Sequence, residues 1–266
     1  YNYSNIDVNG TATDTNLASV TVNTTGVTFD GISFNTSLTL VDGNYTFTAT
    51  ASDIAGNSNS SVVSNVAVDT GIPVITITSI ADNGIQSNNS VNVSGTVTDA
   101  NPVTVTINGT SATVEPGTFT LTITAVDGVY DFTAIATDAA GNSAQDTVLN
   151  YTVDTLAPEI SITTPTTGWY NYSNIDVNGT ATDTNLASVT VNSTGVTFDG
   201  TNFNTSLTLV DGNYTFTATA TDIAGNTNSS VVADVAVDTA APAIAITSIA
   251  DNGIQSNNSV NVSGTV

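Results

Sequence analysis

Aspartates at fixed spacings are the residues of this sequence best suited to chemistry. They form three sets in which the second aspartate lies 39 residues after the first and the third lies 16 residues after the second: Asp14, Asp53 and Asp69; Asp99, Asp138 and Asp154; Asp183, Asp222 and Asp238. Calcium takes oxygen ligands from carboxylates, amides and carbonyls, whereas zinc prefers His and Cys, which are absent here. The spacing therefore indicates a recurring calcium site.

The composition limits what else the chain can do. Its 266 residues include 23 acidic residues and no Lys, Arg, His or Cys. Nucleic acid binding is excluded because phosphate contacts need Lys or Arg, and so is electrostatic anchoring to an anionic membrane. The usual catalytic bases and nucleophiles are missing, so the sequence predicts a protein that is not an enzyme. Converging carboxylates would have to recruit a cation from outside the chain, because each pair at about 4 Å costs about 1 kcal/mol in water.

Alternating apolar and polar residues predict β-strands along almost the whole chain. In one segment Ile175, Val177, Gly179 and Ala181 alternate with polar residues, which is the period of a half-buried strand. AspGly and AlaGlyAsn turn signals separate such segments, and none has a helical pattern. Seven short strands in about 85 residues predict an all-β fold of Greek-key β-sandwiches.

The strands belong to a tandem repeat. Residues 1–70 return as 170–239 with seven differences, and residues 71–97 return as 240–266 with four. A half-period divides this repeat into two alternating module types, A and B. We predict module A at 1–70 without its first strand, module B at 71–155, module A at 156–239, and the N-terminal strands of a truncated module B at 240–266.

One motif indicates which kind of sandwich this is. The sequence Asp-Gly-x-Tyr-x-Phe begins at positions 42, 127 and 211, and it has the layout of the turn that enters strand F of immunoglobulin-like domains. We therefore expect Tyr45, Tyr130 and Tyr214 to be tyrosine corners of seven-strand immunoglobulin-like sandwiches. The alternative is an ordinary buried aromatic strand, which leaves the fold class unchanged.

Three longer patterns carry a resemblance to a known family. They are VDTxAPxI at the linker, VNVSGTVTDAN on the second strand and YDFTAIATDAAGNS on the sixth. With these the chain resembles, over essentially its whole length, the bacterial and archaeal immunoglobulin-like (Big-type) tandem repeats of large surface adhesins and extracellular fibres. The resemblance implies a stalk, and in that family some stalks carry calcium at the domain junctions.

The fold predicts where the aspartates meet. The B–C and F–G loops lie at the same end of such a sandwich, and this end also receives the linker from the preceding domain. We therefore expect Asp69 to meet Asp99 and Asp138, and Asp154 to meet Asp183 and Asp222, with Asp14, Asp53 and Asp238 in the same kind of site. The alternative is that these aspartates only form turns through their own side-chain hydrogen bonds.

Glycosylation acceptors are a second functional signal. Chance would place about nine of the 32 asparagines in Asn-x-Ser/Thr sequences. The sequence has twice as many: Asn2, Asn9, Asn23, Asn35, Asn44, Asn59, Asn88, Asn92, Asn108, Asn150, Asn171, Asn178, Asn192, Asn204, Asn213, Asn228, Asn257 and Asn261. The excess predicts N-linked glycans on outward-facing positions. The alternative is compositional bias in a protein rich in Thr and Asn.

Trp169, the only Trp, has two interpretations. It aligns with Ile85 of module B, which favours an apolar plug at one end of the sandwich. As an exposed aromatic beside Tyr170 it would instead stack on sugar rings.

Together these features predict a non-catalytic stalk or filament segment of an adhesin-like surface protein, located outside the cell or at its surface. Calcium at the junctions would stiffen it and N-linked glycans would cover it. The expected partners are neighbouring modules of the same long chain, other copies in a filament and surface glycans, without nucleic acid or direct membrane insertion. The alternative is an array of glycan- or partner-binding modules that mediates attachment.

Overall fold

The structure of the chain, a computed structural model, describes residues 1–248, 253, 254, 259 and 261–265. In these residues the secondary structure consists of β-strands and turns, and no helix is long and apolar enough to cross a membrane. The chain divides into two compact units, Tyr1–Asp154 and Thr155–Val266. The all-β prediction is confirmed.

The first domain, at the start of the first unit, consists of two short sheets. Its strands are β1 (Asn5–Thr11), β2 (Leu17–Val22), β3 (Thr25–Gly26), β4 (Thr28–Phe29), β5 (Ser33–Thr39), β6 (Gly43–Asp53) and β7 (Ser58–Val68). One sheet has the order β1-β5-β4 and the other the order β3-β2-β6-β7.

The second domain completes the first unit. Its strands are β8 (Val74–Ile77), β9 (Ile85–Gln86), β10 (Ser90–Thr98), β11 (Val103–Ile107), β12 (Thr110–Ser111), β13 (Thr113–Glu115), β14 (Thr118–Thr124), β15 (Gly128–Asp138) and β16 (Ser143–Val153). The sheets have the orders β13-β14-β10-β8 and β12-β11-β15-β16-β9.

The second unit contains the third domain and a two-stranded ribbon. Its strands are β17 (Glu159–Thr164), β18 (Gly168–Tyr170), β19 (Asn174–Thr182), β20 (Leu186–Val191), β21 (Thr194–Gly195), β22 (Thr197–Phe198), β23 (Asn202–Thr208), β24 (Gly212–Asp222), β25 (Thr227–Val237), β26 (Ala245–Ile246) and β27 (Gly264–Thr265). The orders are β17-β19-β23-β22, β18-β25-β24-β20-β21 and β26-β27.

The sheet orders are those of an immunoglobulin-like Greek-key sandwich. In the second domain β13, β14, β10 and β8 correspond to strands D, E, B and A, and β11, β15 and β16 to C, F and G. Strand A is divided between the sheets, because β8 pairs antiparallel with β10 whereas β9 pairs parallel with β16. The predicted seven strands are therefore present, with the first one split and a short strand added after C.

The alternating residues build the core as predicted. Ile175, Val177 and Ala181 are buried in the third domain, together with Phe203 and Phe216 from other strands. Because side chains of a strand alternate between its two faces, the polar residues between them face outwards. Burial of the apolar face is what holds each small sandwich together.

The tyrosine corners are present in all three domains. The hydroxyls of Tyr45, Tyr130 and Tyr214 each donate a hydrogen bond of 2.7–2.8 Å to the backbone carbonyl four residues upstream. This prediction is confirmed. The corner fixes the turn that enters strand F, and the last residue of that strand belongs to the aspartate set described below.

A glycine in strand B makes room for strand A. A Cβ atom on Gly179 would lie 2.1 Å from the backbone oxygen of Ser161 in β17, and one on Gly95 would lie 1.9 Å from that of Thr76 in β8. Glycine is therefore required at this crossing.

In the first domain no described strand pairs with the corresponding edge of β1. Val63 is 60% exposed there, whereas Val148 at the same position of the second domain is 6% exposed.

Candidate metal centre

Three carboxylates meet in the first unit, and each comes from a different element. Asp69 follows β7 in the linker, Asp99 follows β10, and Asp138 is the last residue of β15. One carboxylate oxygen of each lies within 4.8 Å of the others. Asp69 and Asp99 are half-buried and Asp138 is buried. The structure thus brings these three predicted residues together at the end of the second domain that faces the linker.

The turn after β15 holds Asp138 in place. Its Oδ1 accepts hydrogen bonds from the backbone N–H groups of Ala140, Gly141 and Asn142 at 2.7–2.9 Å. Its Oδ2 accepts one from Asn142 Nδ2 at 2.8 Å. Gly141 has a φ of +96°, which favours glycine in this turn. The Asp-Ala-Ala-Gly-Asn sequence therefore both closes the turn and aims the carboxylate at the junction.

Two asparagines connect the linker to the second domain. Asn142 Nδ2 donates a hydrogen bond of 2.8 Å to the backbone carbonyl of Asp69. Asn101 Nδ2 donates to Asp69 Oδ2, and the backbone N–H of Asn101 donates to Asp99 Oδ1 at 2.8 Å. Asp69 is consequently held through its backbone and its carboxylate, and the three aspartates and two asparagines form one network.

Hydrogen bonds in this network favour the charged form of Asp138. Burial by itself would raise its pKa, but the side-chain amide of Asn142 and the backbone N–H groups of Asn142, Gly141 and Ala140 outweigh that effect and lower the pKa below its usual value of 3.8. Hydrogen-bond donors stabilise the charged form of a carboxylate. No side chain of the sequence carries a positive charge that could offset this one.

The size of the cluster suits a calcium ion. Two oxygens bound to one calcium at about 2.3–2.6 Å are at most about 5 Å apart, and the three carboxylate oxygens span no more than 4.8 Å. Carboxylate and amide oxygens are also the ligands that this ion prefers over His and Cys. The residues present therefore fit calcium in both chemistry and spacing.

The second unit contains the corresponding pair. A carboxylate oxygen of Asp183 and one of Asp222 lie within 4.8 Å of each other. Asp222 is buried, and its carboxylate accepts hydrogen bonds of 2.8 Å from the backbone N–H and the side-chain amide of Asn226. Asp183 Oδ1 accepts one from the backbone N–H of Asn185 at 2.9 Å. Asp154 is half-buried at the end of the first unit, and its place in this set stays a sequence-based prediction.

The remaining predicted ligands occupy turns. Asp53 ends β6 and is held by the side-chain amide and the backbone N–H of Asn57, which lower its pKa. Asp14 and Asp238 are exposed, and each accepts a hydrogen bond from the backbone N–H two residues later. Within the described residues no group of three carboxylates includes them. As metal ligands Asp14, Asp53 and Asp238 stay predictions, while the turn interaction of the alternative interpretation is present in each.

The asparagines of this network carry a signal that aspartate spacing alone does not show. Each aspartate at the end of strand F is followed four residues later by an asparagine, at Asn57, Asn142 and Asn226. In all three domains that asparagine donates its backbone N–H and its side-chain amide to the aspartate. A repeated Asp-x-x-x-Asn spacing is therefore the sequence signal of the shaped turn.

Most glycosylation acceptors lie on the surface. Every described acceptor asparagine is exposed except Asn178, which is half-buried, and Asn257 lies outside the described residues. Three of them also shape hairpin turns, because Asn23, Asn108 and Asn192 have φ values of 46–48° there. Their side-chain oxygens accept a backbone N–H of strand F at 2.9 Å, and their amide nitrogens donate to a carbonyl of the same strand. N-linked glycans at the acceptors stay a prediction, which the exposure of most of them allows.

Trp169 does not plug the sandwich. It lies in β18, and its side chain is 81% exposed. Its neighbours Gly168 and Tyr170 are half-buried, so the alternation of the strand directs Trp169 outwards. The plug interpretation is wrong because β18 pairs parallel with β25 in the phase that turns Trp169, its central residue, to the outer face.

Comparisons with known proteins agree with this architecture. The model of a family described as "Glucodextranase, domain B" matches residues 1–70, 73–154 and 158–239. Bacillopeptidase F of Bacillus subtilis (strain 168) is 33% identical over 122 residues, which are 46% of this chain and 8% of that protein. The chain therefore spans less than a tenth of this relative.

Solved structures of tandem domains are similar as well. A three-immunoglobulin-domain segment of titin has a TM-score of 0.57 at 12% identity, covering 89% of this chain and 93% of that one. A bacterial ice-binding adhesin has a TM-score of 0.37 at 21% identity, covering 88% and 92%. At this level of identity the similarity to titin shows the fold alone, and the predicted tandem immunoglobulin-like fold is confirmed by it.

Proposed function

We propose that this chain, which belongs to the glucodextranase domain B family, is a non-catalytic stalk segment of an adhesin-like surface protein outside the cell. Calcium bound at the domain junctions stiffens it, and N-linked glycans cover part of its surface. Its partners are the neighbouring domains of the same long chain and other copies in a filament.

The observation that carries this proposal is the fixed linker in the first unit. Asp69 is the residue that leaves the first domain, and the second domain holds its backbone carbonyl through Asn142 and its carboxylate through Asn101. The same carboxylate is within 4.8 Å of those of Asp99 and Asp138. A cation at this point would bind both sides of the junction and resist bending there.

Electrostatics supports a bound cation. Three carboxylates this close repel one another, and the formal net charge of −23 provides no relief elsewhere in the chain. A divalent cation turns this repulsion into attraction, because carboxylates are strong oxygen ligands for calcium. The amide hydrogen bonds of Asn101 and Asn142 offset part of the cost of bringing the charges together, and calcium offsets the rest, so calcium controls the stiffness of the junction.

A non-catalytic role agrees with the residues of the cluster. Asp138 and Asp222 are engaged by turn amides on both carboxylate oxygens. The chain lacks His, Cys and Lys, which usually act as bases and nucleophiles. The relatives' names refer to a domain of a glucodextranase and to a peptidase. The match to the peptidase covers only 8% of that protein. The match to the glucodextranase domain covers the three sandwiches described above.

The second candidate function, attachment through the domains themselves, is favoured by one observation. Trp169 is 81% exposed and lines a cleft of about 310 Å³ together with Asp211, Asn213 and Asp238. An exposed aromatic beside polar groups is suited to binding a sugar. Surface glycans are the partners that this function would add to the stalk.

Stiffness in solution tests the stalk. Small-angle scattering of the full chain should give a longer maximum dimension in calcium than in chelator, and Asp99→Asn should shorten it in calcium. Asparagine at position 99 can still accept the backbone N–H of Asn101, so the turn is kept while one charged ligand is lost. Asp176→Asn, which removes an equal charge from an exposed strand position, is the matched control. Identical profiles in calcium and in chelator would refute the stiffening.

A further inference from the structure

One row of outward-facing side chains crosses three neighbouring strands of the third domain. Asn213 in β24 lies opposite Ala236 in β25, and Ala236 lies opposite Trp169 in β18. Residues paired in register point to the same face, and neighbouring strands are about 4.8 Å apart, so Asn213 and Trp169 stand about 10 Å apart on either side of a small side chain. Ala236 forms the floor between them, and Asp211 and Asp238 complete the rim of the cleft.

The composition of this row is specific to one domain type. The same row of the second domain consists of Val129, Thr152 and Ile85, so it has neither a glycosylation acceptor nor a tryptophan. In the third domain Asn213 begins the acceptor Asn-Tyr-Thr and is exposed, as is Trp169. A large aromatic surface is left in water here, although burying such a surface is favourable.

We infer that this row is a binding site for a neutral pyranose ring. The C–H face of a pyranose is apolar and packs on the negative face of an indole. Its hydroxyls can donate hydrogen bonds to carboxylates. Asp211 and Asp238 line the cleft; the Oδ1 of each accepts hydrogen bonds from Thr239 or Ala240, and the Oδ2 atoms are the acceptors proposed for the sugar. Two carboxylates at the rim repel an anionic sugar, which restricts the ring to neutral ones.

The ring has two possible sources, a glycan linked to Asn213 itself and a sugar of a separate glycan. A linked glycan starts at one wall of the cleft and extends across Ala236 towards Trp169, which gives it a high effective concentration. Asn213 Nδ2 is 3.5 Å from Asp234 Oδ1, at the limit of a hydrogen bond, and a linked asparagine retains one N–H for this contact. For the first source the inference rests on the glycosylation in the proposed function; for the second it deepens the attachment function proposed above for the cleft beside Trp169.

Because Trp169 is the only tryptophan, its fluorescence and its single indole N–H resonance report directly on this binding site. The first arm uses the full chain from a glycosylating host, in which mass spectrometry verifies a sugar at Asn213. It is compared with the same chain after enzymatic deglycosylation. The linked sugar should shift the emission to shorter wavelength and reduce acrylamide quenching at least about twofold, since it covers an exposed ring. Asn213→Gln should abolish both effects.

Asn44→Gln is the matched control, because Asn44 is the corresponding acceptor in the first domain and has no tryptophan beside it. It should leave the emission unchanged.

In the second arm the unglycosylated chain is titrated with maltotetraose and with chitotetraose while the indole resonance is followed.

A saturable shift of that resonance in the second arm supports a separate glycan, and a change in the first arm supports the linked one. The proposed sugar site would be refuted if a glycan on Asn213 left the emission unchanged and neither titration shifted the indole resonance. If Asn213 is unmodified in every glycosylating host, glycosylation at this position fails and the titrations alone decide. Either result leaves the calcium-dependent stiffness of the stalk to be judged separately.

Discussion

Replacing Asp183 by asparagine should stabilise the third domain in the absence of calcium and remove most of the stabilisation that calcium confers. Asp183 and Asp222 have carboxylate oxygens within 4.8 Å of each other, and Asp222 is buried. Without a cation the two charges repel each other in the folded domain. Asparagine keeps the Oδ1 that accepts the backbone N–H of Asn185, so the substitution changes the charge and leaves the turn intact.

Coulomb's law gives the size of the effect. At 4.8 Å, the upper limit of their separation, the repulsion between two unit charges is about 0.9 kcal/mol in water and about 3.5 kcal/mol at the effective dielectric constant of a protein surface. Because Asp183 is half-buried, we expect the free energy of unfolding in chelator to rise by about 1 to 3 kcal/mol. The wild-type chain should gain about 2.7 kcal/mol at a calcium concentration 100 times its Kd, and the variant much less than 1 kcal/mol.

Differential scanning calorimetry of the full chain measures both quantities. In chelator the transition of the third domain should move up by at least about 4 °C in Asp183→Asn, since 1 kcal/mol shifts the Tm of a domain of this size by about 4–8 °C. Asp176→Asn, on an exposed position of the same domain, should move it by less than about 2 °C. A variant that is less stable than the wild type in chelator, or that gains as much from calcium, would refute the assignment of Asp183.

Three further predictions use the same assay. The pKa of Asp199 is lowered by the backbone N–H and the side-chain amide of Asn202, so its contribution to stability is present above about pH 4 and is lost as the pH falls through the lowered value; Asp199→Ser should therefore weaken the decline of Tm between pH 5 and 3. Gly179→Ala should cost about 1–3 kcal/mol or more by overpacking against β17, whereas Gly195→Ala, with open space around its Cβ, should cost less than about 0.5 kcal/mol. Tyr214→Phe should cost about 1 kcal/mol by removing the hydroxyl bond of the tyrosine corner, and an unchanged Tm would contradict that role.

The fold could be predicted from sequence because strand, turn and corner signals are local and agree with one another. The alternation at Ile175, Val177 and Ala181 fixes one buried face, and the Asp-Gly-x-Tyr motif fixes the entry to strand F. Once the sandwich is given, loop positions alone bring Asp69, Asp99 and Asp138 to one end. The geometry of the candidate site therefore follows from topology and spacing.

The features that sequence could not provide depend on tertiary contacts. The orientation of Trp169 is set by the parallel pairing of β18 with β25, which no local pattern encodes. The division of strand A between two sheets has the same cause. Asn108 looks like any glycosylation acceptor, but its side chain bonds both a carbonyl and an N–H of strand F, a contact between residues distant in sequence.

Calcium binding at the junctions is the claim on which the proposed stalk depends, and isothermal titration calorimetry of the chelator-treated full chain tests it directly. The wild type should bind calcium at the cluster of Asp69, Asp99 and Asp138 and at a second site that contains Asp183 and Asp222. The double variant Asp99→Asn, Asp183→Asn should show neither. A wild-type titration without saturable heat, or a double variant that binds as tightly as the wild type, would contradict the account.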